Sequence, residues 1–234
     1  MLLQHPCEGA DAQAAEANPS FQLKCHPTSL IDIWQLHCGT RVTMRPVLPQ
    51  DSALLGELIG RLSSNSRRNR FHAAVNRLSA AQLRQMSCVD YQQHMALVIT
   101  TAKHGQEQVI AEARYFLDEP GQGDIAQFAI MVDDRWQRRG LGARAMHTLV
   151  KAASAAGLSR LRGEVLAYNQ PMLALMQHCQ FDCTPDEWDD SLVHTQIDLN
   201  RPRVHPAVPK RARWLSWLGK LQKSTFTQSA VFHA

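Results

Sequence analysis

Alternating strand-like and helix-like segments predict an α/β fold of the α+β type, a mixed central sheet flanked by helices. Two observations carry this. The segments run strand, two helices, three strands, helix, strand, helix, strand, which gives hairpin neighbours and not the regular βαβ repeat of a doubly wound parallel sheet. The chain has 234 residues and 44% hydrophobic content, enough for one core-bearing domain plus extensions.

Residues 1–38 are rich in Ala, Gln, Pro and His without a sustained period, and read as a largely irregular N-terminal extension. A short helix near Leu30–Leu36 is the one regular element they suggest. The domain is expected over 39–200. Gly39-Thr40 is a turn, and Arg41–Val47 sets Val42, Met44 and Pro46 against Arg41, Thr43 and Arg45, the period of a strand. Leu54, Leu55, Leu58, Ile59 and Leu62 fall at helical spacing, with Asp51 as a start signal. The run Ser63–Arg77 is polar and basic, and Ser79 opens a short helix with Leu83 and Met86 on one face.

His94–Thr101 and Gln108–Phe116 read as strands of a hairpin turning near Gly105. Asp118–Asp124 is a second turn, feeding the strand Ile125–Val132. The helix after Gly140 carries Leu141, Ala145, Leu149, Ala152, Ala153 and Ala156, and Gly157 ends it. Leu161–Ala167 is the next strand. Asn169 caps a helix with Pro171 in its first turn, and Ser191–Leu199 is the last strand.

The net charge of +4 hides a polarity. Residues 1–20 hold only acids (Glu8, Asp11, Glu16), and residues 201–234 hold seven Lys and Arg and no acid, so the domain itself is near neutral. A fold-wide nucleic-acid surface is therefore not expected. Six cysteines without a C-x-x-C pair read as free thiols, not a zinc site or disulfide framework. No run approaches the roughly 20 apolar residues of a membrane span, and MLLQHPCEGADAQ has no signal-peptide pattern, so a cytoplasmic protein is expected.

The most informative stretch is IAQFAIMVDDRWQRRGLG, Ile125 to Gly142. A strand emptying into a glycine-bearing turn at a helix start is a place to hold phosphate, because the first N–H groups of a helix are unpaired and sit at its positive end. Gly140 and Gly142 remove side chains that would keep a pyrophosphate from the backbone. Q-x-x-G-x-G is not the dinucleotide fingerprint, and it lacks the Lys-Ser/Thr of a nucleoside-triphosphate loop.

It resembles the acyl-CoA loop of the GNAT acetyltransferase superfamily. GTRVTMRPVLPQD, NRFHAAVNRLSAAQL, CVDYQQHMALV and GEVLAYNQPMLALMQHCQF extend the resemblance over roughly residues 39–199, toward the branch containing bacterial protein-lysine acetyltransferases. The resemblance implies a GNAT fold with splayed fourth and fifth strands and acetyl-CoA as acyl donor. It implies that Ile130 and Val132 bind the acyl carbonyl and pantetheine arm through their backbones. Gln137, Arg138, Arg139, Gly140, Leu141, Gly142 and Ala143 would wrap the pyrophosphate. Asn169 would meet the cofactor's amide arm, be a helix cap, or do both. No metal is implied.

The implied chemistry is attack of an amine on a thioester. Freeing the lone pair of a lysine, whose ordinary pKa is about 10.4, costs roughly 4–5 kcal/mol at pH 7. A base or desolvation lowers that cost, and a backbone N–H near Ile130 would hold the oxyanion. Relatives carry Glu in AEFAVVV; this chain has Gln127, a neutral amide that cannot accept the proton but can hold a water. Glu112, Asp124 and His72 are the displaced candidates for the base. The family's Tyr acid is Met176 here, and its closing Gly-Phe is Gln180-Phe181.

In the extension 201–234, Trp214, Leu215, Trp217, Leu218 and Leu221 at helical spacing among Lys and Arg read as a short basic amphipathic helix, suited to a membrane surface, a partner or the domain itself. Two functions follow. One is an N-acetyltransferase acting on a primary amine of a protein lysine or small molecule. The other is an acyl-CoA sensor or scaffold whose catalysis is weakened by Gln127.

Overall fold

The computed structural model describes residues 27–91, 93–103, 105–117 and 124–200. The expected amphipathic helix at Trp214–Leu221, residues 1–26 and most of the 118–124 turn lie outside them.

Among the described residues, eight strands form one sheet: β1 (Asp32–Gln35), β2 (Arg41–Pro46), β3 (His94–Lys103), β4 (Gln106–Leu117), β5 (Ile125–Val132), β6 (Arg160–Leu166), β7 (Asp182–Pro185) and β8 (Leu192–Asp198). Their order across the sheet is β1-β2-β3-β4-β5-β6-β8-β7. Every pairing is antiparallel except β5 with β6. Five helices cover the sheet: α1 (Ser52–Arg61), α2 (Ser64–Phe71), α3 (Ala80–Ser87), α4 (Leu141–Ala155) and α5 (Gln170–His178).

Two cores result. One joins Leu55, Leu58 and Ile59 of α1 and Met86 of α3 to Ala96, Val98, Val109 and Met131 of the sheet. The larger joins Leu141, Ala145, Met146, Leu149, Val150 and Ala153 of α4, and Met176 of α5, to Met44, Leu97, Ile99, Ala113, Tyr115 and Phe128. Each fully buried Leu, Ile or Met stabilises by about 1.5–3 kcal/mol, so both faces of the sheet are tied down. A bulge between Ile99 and Thr100 lets β4 present Val109 to the first core and Ala111 to the second.

Three local expectations are corrected. The segment Leu30–Leu36, expected as a short helix in an irregular extension, is a 3₁₀ turn at Thr28–Leu30 followed by β1, which pairs Asp32↔Met44 through Gln35↔Arg41. The edge of β2 supplies backbone partners that four residues cannot signal by themselves. The basic run contains α2, with no buried residue and hence no apolar period; Ser63 caps it by accepting from Ser66 N at 3.1 Å. Asp51 precedes α1 as expected but makes no side-chain cap. Its carboxylate instead accepts from Leu48 N at 2.7 Å and pairs with Arg45 at 2.7 Å. Strand β7, absent from the sequence reading, pairs with β8 at the other sheet edge.

Candidate active site

β5 pairs with β4 from Leu117↔Ala126 to Ala111↔Val132, but with β6 only at Ile125↔Arg160, Ala126↔Leu161 and Gln127↔Arg162. Beyond Gln127 the two strands part while β6 continues along β8 to Leu166. Asp133 N donates to Ile110 O at 2.9 Å, and antiparallel alternation then turns the main-chain groups of Val132 and Ile130 away from β4, into the opening. The Val132 carbonyl accepts from Gln137 Nε2 at 3.1 Å. Phe128 lies at the fork, its ring against Phe181 at 5.1 Å and over Gly163, where a Cβ would come within 2.8 Å of it.

The exit from β5 is a tight turn. Asp133 caps a 3₁₀ turn at Asp134–Trp136, and Arg138 (φ 60°) and Gly140 (φ 82°) are both left-handed before α4 begins. Arg144 N reaches Gly140 O at 3.1 Å, so the N–H groups of Leu141, Gly142 and Ala143 have no carbonyl of their own helix to bond. The two glycines answer different needs. At Gly140 an added Cβ would meet nothing within 4 Å, so the backbone angle requires it; at Gly142 it would sit 3.1 Å from Leu175 of α5 and 3.8 Å from Ile130. Gly142 thus lets α5 and β5 close on the start of α4. The side chain of Asn169 accepts from Met172 N at 3.3 Å, capping α5. Its Nδ2 has no partner among the described residues.

Arg138 and Arg139 are exposed beside this turn. The Arg139 guanidinium lies 5.0 Å over Trp136 and donates to Cys38 Sγ at 3.4 Å. Arg144 pairs with Asp32 at 2.6 Å and lies 4.1 Å over Trp34, both on β1. The Thr40 hydroxyl and Arg139 both draw the Cys38 thiol below its ordinary value.

Sequence reasoning missed a brace behind the turn. Asp133 is fully buried and pairs with Arg61 of α1 at 3.0 Å and with Arg135 at 3.2 Å. Burial pushes its carboxyl up, but the bonds from Arg135 and Arg61 outweigh this and hold it below the usual range. Asp134 accepts from Ser63 N at 2.8 Å, Ser63 Oγ at 2.9 Å and Ser66 Oγ at 2.7 Å. Burial again opposes these bonds, and the bonds again prevail. The paired acids at the strand exit and the Ser-x-x-Ser at the α2 start were the available signals.

On the face of the sheet that carries α1–α3, away from α4, Gln127 is half-buried at the last β5–β6 pair. Glu112 lies directly across from Met131, so four strand positions, about 13 Å, separate it from Gln127. It is sealed: its side chain has no exposure, Oε1 accepts from Arg114 Nε, and Arg70 Nη2 of α2 stands 3.8 Å from Oε2. Arg114 also donates to Met86 O at 3.0 Å and meets His94 Nε2 at 3.0 Å. Arginine only donates, so this His94 nitrogen is the acceptor of a neutral ring. Burial and Arg114 together drive His94 down to about 4.

The structure therefore brings Ile130, Val132, Gln137 and Gly140–Ala143 to one end of the fork, with Leu175 linking α5 to it. It keeps Glu112 apart under α2 and α3. Asp124 is exposed at the start of β5, His72 is exposed after α2, and Tyr168 is 49% exposed while Met176 is fully buried. No group of three or more His, Cys, Asp or Glu among the described residues is placed to hold a metal, and no described helix is long and apolar enough to cross a membrane.

The sequence pattern of the acetyltransferase (GNAT) family matches residues 64–181. The acetyltransferase Pat of Mycolicibacterium smegmatis is 34% identical over 178 residues, which are 75% of this chain and 51% of Pat, so the chain spans about half of that relative's length. The acetyltransferase PA5475 of Pseudomonas aeruginosa is 31% identical over 144 residues, 60% of this chain and 76% of that protein. The GNAT domain of S. lividans PAT superposes with a TM-score of 0.66 at 23% identity, over 74% of this chain and 99% of that one, a likeness of fold. The forked sheet, the left-handed turn onto α4 and these relatives agree: the chain belongs to the GNAT family of acetyltransferases.

Proposed function

We propose that the protein is an acetyl-CoA-dependent N-acetyltransferase that moves an acetyl group to a primary amine, with a protein lysine as the preferred acceptor. The observation that carries the reading is the β5–β6 fork ending at the open N-terminus of α4. The unpaired N–H groups of Leu141, Gly142 and Ala143 suit a pyrophosphate, and the charges of Arg138 and Arg139 stand beside them. The pantetheine arm then runs down the fork along Val132 and Ile130, with the Asn169 amide across from it. Acetyl-CoA supplies the activated acyl group.

In the reaction, the amine nitrogen attacks the thioester carbonyl carbon, and its π electrons move onto oxygen, where the Ile130 N–H receives them. The carbonyl re-forms, the C–S bond breaks, and CoA leaves as a thiolate. The amine proton passes to water held at Gln127, and the thiolate is protonated from solvent. Because Glu112 is sealed from the fork, its ion pairs with Arg114 and Arg70 fit a positioning role under α2 better than proton transfer. Asp124 is solvent-exposed at the start of β5, and His72, exposed after α2, lies close enough to Glu164 of β6 to feel its charge, although burial holds the imidazole below its ordinary value.

A second reading, an acyl-CoA-binding sensor with weak turnover, is favoured by one observation: the last β5–β6 pair carries the neutral amide Gln127, which cannot accept the amine proton. Purified protein, acetyl-CoA and a panel of lysine peptides and small amines separate the two through thiol release. Release above background with a lysine peptide supports the enzyme. Binding of acetyl-CoA without release, together with a gain from Gln127→Glu, supports the sensor.

A further inference from the structure

Gln137 opens the glycine turn, and its side-chain amide has two acceptors within reach. One is the Val132 carbonyl at 3.1 Å, turned into the fork; the other is Ser66 Oγ on α2 at 3.5 Å, the long limit of a hydrogen bond. Ser66 gives its own hydroxyl hydrogen to Asp134 at 2.7 Å, so its oxygen is left to accept. Val132 O is also the carbonyl that a pantetheine amide N–H would need. One acceptor, two donors and a waiting second acceptor make an exchange.

We propose that Gln137 is a placeholder on the Val132 carbonyl, that the cofactor displaces it, and that the displaced amide closes on Ser66, so that cofactor occupancy is passed to α2. The relay is short. Asp134 fixes the Ser63–Ser66 turn from the β5 side through three hydrogen bonds, so α2 starts from a rigid point. One helical turn beyond Ser66, Arg70 stands against Glu112. The Nε of Arg70 and the Oε2 of Glu112 are buried without a hydrogen-bond partner, and their charge pair is held at 3.8 Å. The far end of α2 is thus incompletely bonded, and tightening its first turn acts on a helix with room to settle. The inference rests on the reading that the fork takes the pantetheine arm.

The test is amide hydrogen exchange over residues 64–71, with and without CoA, in the full chain and in Gln137→Ala and Ser66→Ala. Bound CoA is expected to slow exchange over α2 by about fivefold or more in the unsubstituted protein. In Gln137→Ala, compared at saturating CoA so that any change in affinity drops out, protection of α2 is lost. Ser66→Ala keeps the affinity and also loses the protection. α2 protection that persists in both variants at saturating CoA overturns the proposal. Absence of CoA binding by the unsubstituted protein, read by calorimetry in the same series, overturns the cofactor reading and this proposal with it.

Discussion

Gly163→Ala is the substitution that most sharply probes the fork. A Cβ at Gly163 would stand 2.8, 2.9 and 3.2 Å from Cε1, Cζ and Cδ1 of Phe128. Carbon atoms in contact prefer about 3.5–4.0 Å, so the ring edge must retreat by roughly 0.7–1 Å. Its retreat is opposed by Phe181, edge-on at 5.1 Å, and Phe128 is only 7% exposed. Inserting a methyl into a packed site with both walls fixed costs about 1–3 kcal/mol. In a domain of this size that lowers Tm by about 2–4 °C per kcal/mol. Urea denaturation of Gly163→Ala, Phe128→Leu and the double variant measures it. The double variant should be less destabilised than the sum of the singles by about 1 kcal/mol, because the smaller side chain gives the methyl room. Gly163→Ala within about 0.3 kcal/mol of the parent, or strict additivity in the cycle, would refute the reasoning.

Three further outcomes are expected. His94 is held neutral, with its value lowered to about 4 against about 6.5 unfolded; the folded state therefore gains from it above pH 6.5 and loses that gain as pH falls toward 4. The loss amounts to roughly 3 kcal/mol, and denaturation between pH 7 and 4 should show a shallower decline for His94→Gln. Asp133→Ala leaves the half-buried Arg61 only the exposed carboxylate of Glu57, 3.7 Å away, and should cost about 2–4 kcal/mol by urea melts. Asp133 itself is held low, so its contribution is present above about pH 4 and disappears as pH falls through its folded value. Gln180 is left-handed at φ 65° after α5, and Gln180→Gly should raise stability by about 0.5–1 kcal/mol in the same assay.

The sequence carried most of the elements wherever the period came from burial. Strand β5 and helix α4 were legible because their apolar faces meet the two cores, and Gly157 and Asn169 were legible because end chemistry is local. What escaped reading depends on partners far along the chain. β1 exists because β2 offers an edge, and α2 is polar all round and is stabilised by Ser63 and Asp134. β7 is four residues against β8. At the site, the glycine turn was legible from six residues, yet the two glycines turned out to serve unlike ends, Gly140 a backbone angle and Gly142 the approach of Leu175. The charged pair under the turn was not legible, since Asp133 meets Arg61 across 72 positions of chain. Gln180 stands where the resemblance implies a glycine, and its backbone has the left-handed angle that glycine adopts most easily.

The central claim is that the β5–β6 fork and the turn onto α4 receive acetyl-CoA. Amide chemical shifts recorded during an acetyl-CoA titration test it most directly. The largest changes are expected on Ile130, Val132, Gln137–Ala143 and Asn169, with residues on β1 and β7 changing little. Saturable binding that leaves Ile130, Val132 and Leu141–Ala143 unshifted while moving a different set of amides would contradict it.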